Sequence, residues 1–463
     1  MNTVFISSFN PFILRNILVS NALKTLKESG DTRVVVFVPD YKVDFFKREI
    51  GAPDVVVEGV KIVRPSRRDV IFRYLASSLA DTPTISVNKR VQLERDDRLT
   101  RFLISWILMK LFSRIFIFKR WIRWLDYFTM KKSRYSKYFS LYQPRLVFAT
   151  DVFNDNDVYL LAEALSRKVG TVGMIRSWDN FTTKGFFRVK PDHLLVHNEI
   201  LKKEAVKYCD ISDDHVVSVG VPQYDRYLCG SRISREAFLE KLGFDLGRKL
   251  ILFSPFGQRF TDTDWQIMEI LKGFIEKAEI PPVQVLIRCT PNDPLVWGSF
   301  VPNKYFYIDC PGRGFREGQV RDQELTAEDM EWLADCLYHS DVVVAGGASI
   351  GIDAAMFGKP AILIHFDGFE KKPYWHSVRR FLEYQHPRNI IKSGAMRSVK
   401  SVVELRQELN NYLNNPDLDR SARNQMLQDQ CWRLDGRSGK RIGEVLLSLL
   451  KSSAPANRPA PGR

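Results

Sequence analysis

The chain has 463 residues, 45% hydrophobic and 27% charged, which excludes general disorder and is long enough for two cores rather than one. A formal charge of +15, from 69 Lys and Arg against 54 Asp and Glu, calls for an anionic partner: nucleic acid, a phospholipid surface or a phosphorylated substrate. Six scattered cysteines without a CxxC pair argue against a disulfide scaffold and a structural zinc site and read as reduced and cytosolic, and the first residues lack the cationic and apolar pattern of a secretory signal.

Residues 3–7 are expected as a first strand and 13–27 as a helix, with apolar spacing through Leu14, Ile17, Leu18, Ala22, Leu23 and Leu26, closed by Gly30. A strand over 33–38 and short strands over 54–63 continue the alternation, so the chain opens as an α/β domain. Residues 64–140 interrupt it with a basic, aromatic, helical insertion centred on RFLISWILMKLFSRIFIFKRWIRWLDYF, residues 101–128. A spanning helix needs roughly 20 apolar residues. The stretch 102–118 is shorter and holds Lys110 and Arg114 on one face, each costing about 2.5–3.5 kcal/mol at a helix centre. Trp106, Phe112, Phe116, Trp121 and Trp124 instead suit the headgroup boundary, with Lys119, Arg120 and Arg123 meeting anionic lipid. With the reduced cysteines, the expected location is cytoplasmic, peripheral on the inner face of the cytoplasmic membrane. The alternative is an insertion packed on its own domain with a solvated basic side. No sequence-reading module is visible, so no nucleic-acid partner is expected.

Strands over 145–150 and 171–176 flank a helix over 157–168, and the second runs into SWDNFTTKG, residues 177–185. Asp151 and Asp179 follow these strands, at the carboxyl ends where open α/β sheets bind ligands. Each is a candidate general base, or else the cap of a turn. Strands over 193–197 and 216–219 complete this part, and a boundary falls within 222–248. Beyond a helix over 232–242, strands beginning at 250, 283, 305, 341 and 361 alternate with helices over 263–277, 326–338 and 350–357, a second doubly wound sheet. Helices over 401–413 and 420–450 follow, one long enough to cross back onto the first domain. The expected domains are 1–225, carrying the insertion, 226–415, crossover helices 416–451, and a Pro-rich tail over 452–463 that cannot fold.

The chemistry centres on residues 341–365, DVVVAGGASIGIDAAMFGKPAILIH. A β-branched run gives a buried strand, Gly346 and Gly347 a sharp turn, and Ser349 an N-cap for a helix stopped at Gly358, Lys359 and Pro360. A diphosphate fits against Gly347, Ala348 and Ser349 at the positive end of that helix, without a metal, and Asp353 one turn on is placed to reach a ribose. An ordinary crossover with packing glycines has the same spacing. Two more strand-end loops converge on this rim: residues 254–260, with Ser254, Gly257 and Arg259, and residues 288–293, with Arg288. Their arginines either pair with phosphate oxygens or are surface charges. Asp155 with Asp157, Asp262 with Asp264 and Asp417 with Asp419 fit a loose metal-binding Asp-x-Asp, a motif that recurs by chance.

GVPQYDRY (220–227), ILFSPFGQ (251–258), VLIRCTPND (285–293), the block 341–367 and DGRSGKRI (435–442) resemble the GT-B glycosyltransferases of bacterial surface-polysaccharide assembly, in the group that also holds CDP-glycerol glycerophosphotransferases. The resemblance implies two facing Rossmann-like domains. It further implies a nucleotide sugar held by the C-terminal domain and a lipid-linked or glycan acceptor on the N-terminal one, with Trp178, Asn180 and Lys184 in its cleft, and transfer with no metal or other cofactor. Ser349 carries over as a diphosphate contact and Asp353 as the ribose contact, an Asp where Glu is commoner. Glycerophosphotransferases of the group look to use an N-terminal histidine and a His-Pro step; here no His precedes His193 and the step reads Thr290, Pro291. Glycerol-phosphate transfer is therefore the lesser reading. A nucleotide-sugar epimerase and a non-catalytic membrane adaptor stand as alternatives.

Overall fold

A computed structural model describes residues 1–62, 64–229, 233–319 and 322–452. The expectations at 63, 232 and the tail 453–463 lie outside the described residues. The chain divides into two compact units, Met1–Asp225 together with the stretch from Cys431 onward, and Arg226–Gln430.

The first unit is built on strands β1 (Asn2–Ser7), β2 (Thr32–Pro39), β3 (Val55–Val60), β4 (Leu146–Ala149), β5 (Gly170–Met174), β6 (His193–Val196) and β7 (Val216–Ser218), in the order β3-β2-β1-β4-β5-β6-β7. The second holds β8 (Lys249–Ser254), β9 (Val283–Arg288), β10 (Phe306–Asp309), β11 (Val342–Ala345), β12 (Ala361–Ile364) and β13 (Arg397–Val399), in the order β10-β9-β8-β11-β12-β13. Each pairing between two of these strands is parallel. Helices cover both faces of such sheets, and this is why the central strands are continuous apolar runs, with Val34 to Val38 and Val342 to Ala345 wholly buried. In each sheet the winding direction reverses once, between β1 and β4 and between β8 and β11. At each reversal two neighbouring strands send their connections to opposite faces and leave a crevice at their carboxyl ends.

Several elements differ from the sequence pattern. The stretch 13–27 is not one helix. A π-helical turn, Leu14–Leu18, precedes the α-helix Asn21–Glu28, because the Ser20 hydroxyl accepts from the Ala22 amide at 3.2 Å and starts a new helix. Residues 54–63 give the single strand β3, and the three-residue β13 was too short for its pattern to register. The stretch 420–450 is two helices, Arg420–Cys431 and Ser438–Ser452. They part at the DGRSGK turn, where the Asp225 carboxylate accepts from the amides of Ser438 at 3.1 Å and Gly439 at 2.8 Å. The second helix packs on Asn21–Glu28 through Gly439 and Gly443. A Cβ at Gly443 would lie 2.5 Å from that of Thr25, so only glycine permits this approach.

The insertion forms the helices Arg67–Ser78, Pro83–Asp96, Leu99–Phe112, Phe116–Thr129 and Ser136–Tyr142. Buried Arg188 fastens it to the sheet, donating to Asp126, Asp155 and Asp69 at 2.8 Å each. Burial alone would raise the Asp69 pKa, but hydrogen bonds from Ser66 and Arg188 hold it at about 2. Three expectations for the insertion fail. Lys110 and Arg114 share no helix face, because the helix ends at Phe112 and Lys110 pairs with Asp81 at 3.1 Å. Arg123 does not meet lipid: its guanidinium is turned inward, donating to the carbonyls of Phe187 and Cys209 at 3.1 Å each. Lys119 is likewise buried, its Nζ on the Tyr208 carbonyl at 3.2 Å. The reason is helical spacing, since Lys119, Ile122, Arg123 and Asp126 share one face and that face packs on the unit. Arg120 keeps an exposed head, paired with Asp210 at 2.7 Å.

Candidate functional site

At the β1/β4 reversal the strand ends bring together Ser7, Thr150 and Asp151. Ser7 donates its hydroxyl to the Asp157 carboxylate and accepts from the Thr150 amide at 3.0 Å. The Asp151 amide donates to that same carboxylate at 3.2 Å. The Asp151 side chain stands between two cations, Arg176 at 3.4 Å and Lys184 at 3.7 Å. Asp157 is fully enclosed at the first turn of the helix Asp155–Ser166. Burial, and then the neighbouring charge of Asp151, push its pKa up to about 8 despite the Ser7 hydrogen bond. Two carboxylates in different environments, one enclosed and one cation-flanked, are the arrangement that separates an acid from a base.

Asp179 lies at the next strand end, half-buried, and caps the short helix Asn180–Lys184 through its backbone carbonyl rather than its side chain. Asn180 is buried and braces this loop, accepting from the Arg176 amide at 3.1 Å and donating to Asp179 at 3.3 Å. Trp178 is packed inward against His197 and Tyr224, ring centroids 5.4 and 6.1 Å away. It therefore shapes the rim from beneath and does not offer a face at its surface. Burial drops the His197 pKa to about 4, which keeps the ring neutral. Buried Ser8 Oγ, His197 Nδ1 and Ser218 Oγ, all just beyond or at strand ends of this sheet, have no hydrogen-bond partner.

In the second unit the three expected loops do meet. The Gly346 amide donates to the Ser254 carbonyl at 2.9 Å, Thr290 Oγ1 to the Pro255 carbonyl at 2.9 Å, and the Gln258 amide to the Pro294 carbonyl at 2.8 Å. Asp264 holds the first loop from behind, accepting from the amides of Phe256 at 3.1 Å and Gly257 at 2.8 Å. Its burial raises the pKa to about 6 against those two hydrogen bonds. Gly257 needs its positive φ of 89°, and a Cβ there would lie 2.8 Å from the Asp293 carboxyl carbon. The two glycines of the turn differ. A Cβ on Gly346 would sit 2.5 Å from the Phe256 ring, so this glycine serves packing. Gly347 faces open space and is the N-cap of the helix Ala348–Met356, which no side chain caps. The helix therefore starts one residue before the expected Ser349 cap, and Ser349 is an exposed residue of its first turn. The positive helix end and its first amides are presented at the β8/β11 crevice, an arrangement that suits a phosphate group.

Asp353 is half-buried on this helix, one turn beyond Ser349, and Arg259 is exposed at the edge of the first loop, its guanidinium 5.2 Å from the centre of the Phe260 ring. Arg288 is not available to a phosphate. It is the last residue of β9, in register with Asp309 on β10; it pairs with that carboxylate, and its other nitrogen donates to the Asp329 carbonyl at 3.3 Å. The Asp-x-Asp pairs are also divided between separate tasks. Asp155 serves Arg188 while Asp157 serves Ser7; Asp264 holds the loop amides while Asp262 pairs with Lys372 at 2.6 Å. Asp419 pairs with Arg397 at 2.7 Å, and Asp417 with Arg420 at 3.2 Å.

Sequence reasoning missed Ser7, Asp157, Arg176, His197 and Asp264. Ser7 and His197 carry the same signal that found Asp151, a polar residue directly after a buried strand. Asp157 and Asp264 were weighed only as metal ligands, and each shows what its position supports, a carboxylate in the first turn of the helix that follows a strand-end loop.

No family model matches the chain, and no curated protein sequence matches it. Solved structures do. A putative UDP-N-acetylglucosamine 2-epimerase from Listeria monocytogenes superposes with a TM-score of 0.55 at 11% identity, covering 98% of each chain. UDP-GlcNAc 2-epimerases from Methanocaldococcus jannaschii and from Neisseria meningitidis, the latter bound to UDP-GlcNAc, give TM-scores of 0.51 and 0.52. Each is 12% identical over 97% of this chain and 100% of theirs. The chain thus has the two-domain, Rossmann-like GT-B fold.

Proposed function

We propose that this chain is an enzyme of nucleotide sugars that transfers the sugar to a lipid-linked or growing glycan acceptor without a metal. The observation that carries the reading is the rim of the second sheet. An uncapped helix end stands at the β8/β11 reversal, and the loops beside it are pinned by Asp264 and Asp293. Fixed backbone amides of this kind hold a diphosphate and stabilise it as it departs. In this reading Gly347, Ala348 and Ser349 receive the diphosphate, Arg259 adds charge at the edge, and Asp353 takes the ribose. The first unit takes the acceptor. Asp151 removes its hydroxyl proton, Asp179 being the alternative base at the adjacent strand end, and Ser8, His197 and Ser218 hydrogen-bond sugar hydroxyls.

A second reading is a nucleotide-sugar epimerase, favoured by the solved structures of the same fold, one of which holds UDP-GlcNAc. It needs no acceptor and uses the Asp151 and Asp157 pair for proton removal and return at carbon.

Calorimetric titration with UDP, GDP, CDP, CMP and dTDP, with a chelator present throughout, tests both. Saturable binding of one nucleotide, unchanged by the chelator, is expected; binding of none would discard both readings. Incubating the matching sugar nucleotide without acceptor then separates them, since an epimer appearing in the product favours the second.

A further inference from the structure

The insertion carries a surface that neither reading uses. The helix Leu99–Phe112 is apolar around most of its circumference, yet only Ser105 and Met109 are buried; Leu103, Ile104, Ile107 and Leu111 stand in solvent. A helix of that composition is ordinarily enclosed by protein or by lipid. The following helix, Phe116–Thr129, is inverted. Of its charged residues all but Arg120, that is Lys119, Arg123 and Asp126, face the unit, and Ile117, Trp121, Trp124 and Phe128 face outward, at 76, 51, 43 and 68% exposure. That spacing, i, i+4, i+7 and i+11, is one continuous stripe. The Phe112 and Phe118 rings, 4.7 Å apart, join the two helices. Hydrogen bonds from Lys119 and Arg123 to carbonyls of the unit, together with the Asp126 ion pair to Arg188, fix the orientation, so the stripe cannot turn inward.

From this geometry we infer that the two helices form a docking face for an anionic lipid bilayer, on which the chain lies without crossing it. Charge identifies the occupant. Between residues 99 and 129 the only acidic residue is Asp126, and it is buried, whereas Arg101, Arg114 and Arg120 are exposed, Arg120 being paired with Asp210. An apolar, Trp-bearing face with arginines at its edge and no exposed acid within either helix matches the acyl boundary beneath anionic headgroups. At 14 residues each, the helices are about 21 Å long, short of a hydrocarbon core of about 30 Å. Among the described residues no helix is long and apolar enough to cross a membrane.

The inference stands apart from the sugar chemistry, because its test reads neither nucleotide nor turnover. The full chain is floated with protein-free vesicles of phosphatidylcholine, with and without 30 mol% (about one lipid in three) phosphatidylglycerol, the anionic content that a basic face requires. Binding to the anionic vesicles should exceed binding to neutral ones by about tenfold and weaken with salt. The variant Ile117→Glu, Trp121→Glu, Phe128→Glu should lose at least about tenfold of it, with an unchanged melting curve, as these side chains contact solvent. Three results would each overturn the proposal: no flotation with either vesicle, equal flotation of the variant, or self-association of the wild type that the variant abolishes, which assigns the face to a second copy. An unfolded triple variant would be replaced by Ile117→Glu alone, judged by the same criteria.

Discussion

At the β1/β4 reversal the strand ends carry ionisable side chains, with Asp151, Asp157, Arg176 and Lys184 in one network around Ser7. At the β8/β11 reversal the equivalent place holds backbone: Gly346 packed on Phe256, Gly347 at an uncapped helix end, and loop amides tied back by buried Asp264. The same topology therefore gives one crevice suited to moving protons and another suited to holding an anion. Side chains that titrate must be flanked by partners that tune them, whereas anion binding by amides needs only small residues and a fixed loop.

The sharpest way to break this comparison is Asp151→Asn. Turnover should fall by about 10²–10⁴-fold, the usual contribution of general acid–base catalysis, while nucleotide affinity by calorimetry stays the same. Equal loss of both would show that the two crevices do not divide the work. Next in size is Gly346→Val, whose side chain meets the Phe256 ring and should lower stability by about 1–3 kcal/mol in urea unfolding. Gly347→Ala, in open space, should stay within about 0.5 kcal/mol of wild type. Asp353→Ala should weaken nucleotide binding by about tenfold, as loss of one charged hydrogen bond does. Ser349→Ala should cost less, because its amide remains; unchanged affinity in both would move the nucleotide elsewhere.

The last test of the comparison is a pH slope. The enclosed Asp157 has a folded pKa of about 8 against an ordinary 3.8, so between those values the unfolded chain sheds a proton that the folded chain keeps. Asp157 therefore costs the fold progressively more as pH rises from about 4 to about 8. The melting temperature of Asp157→Asn relative to wild type should climb across this window. A difference independent of pH would mean that Asp157 is ionised in the fold.

Much of this was legible in the residues. Runs such as Val34 to Val38 and Val342 to Ala345, set between helical stretches, state a parallel sheet, and the residue that follows such a run falls at a strand end; Asp151, Ser254 and Gly346 were placed at strand ends in this way. Arg288 was misjudged by the same rule, because the rule places a residue at a strand end but says nothing about its neighbour across the ladder, here Asp309. The insertion shows the same limit. Its aromatic and basic composition pointed to a lipid-facing segment, but the faces were assigned without knowing which one the unit needed. Arg123 and Lys119 proved to be the inward residues, with Ile117 and Phe128 outward.

By itself, then, the sequence determined the alternation of elements, the parallel sheets and the positions of the strand-end loops, because these follow from hydrophobic periodicity and turn residues acting over a few positions. Only the tertiary structure decided which ionisable groups are tuned and which are consumed in packing. Arg188 meets Asp69 across 119 residues, and Ser7 meets Asp157 across 150. The state of a buried charge depends on such distant partners and on its removal from water, and neither can be read from its neighbours in the chain.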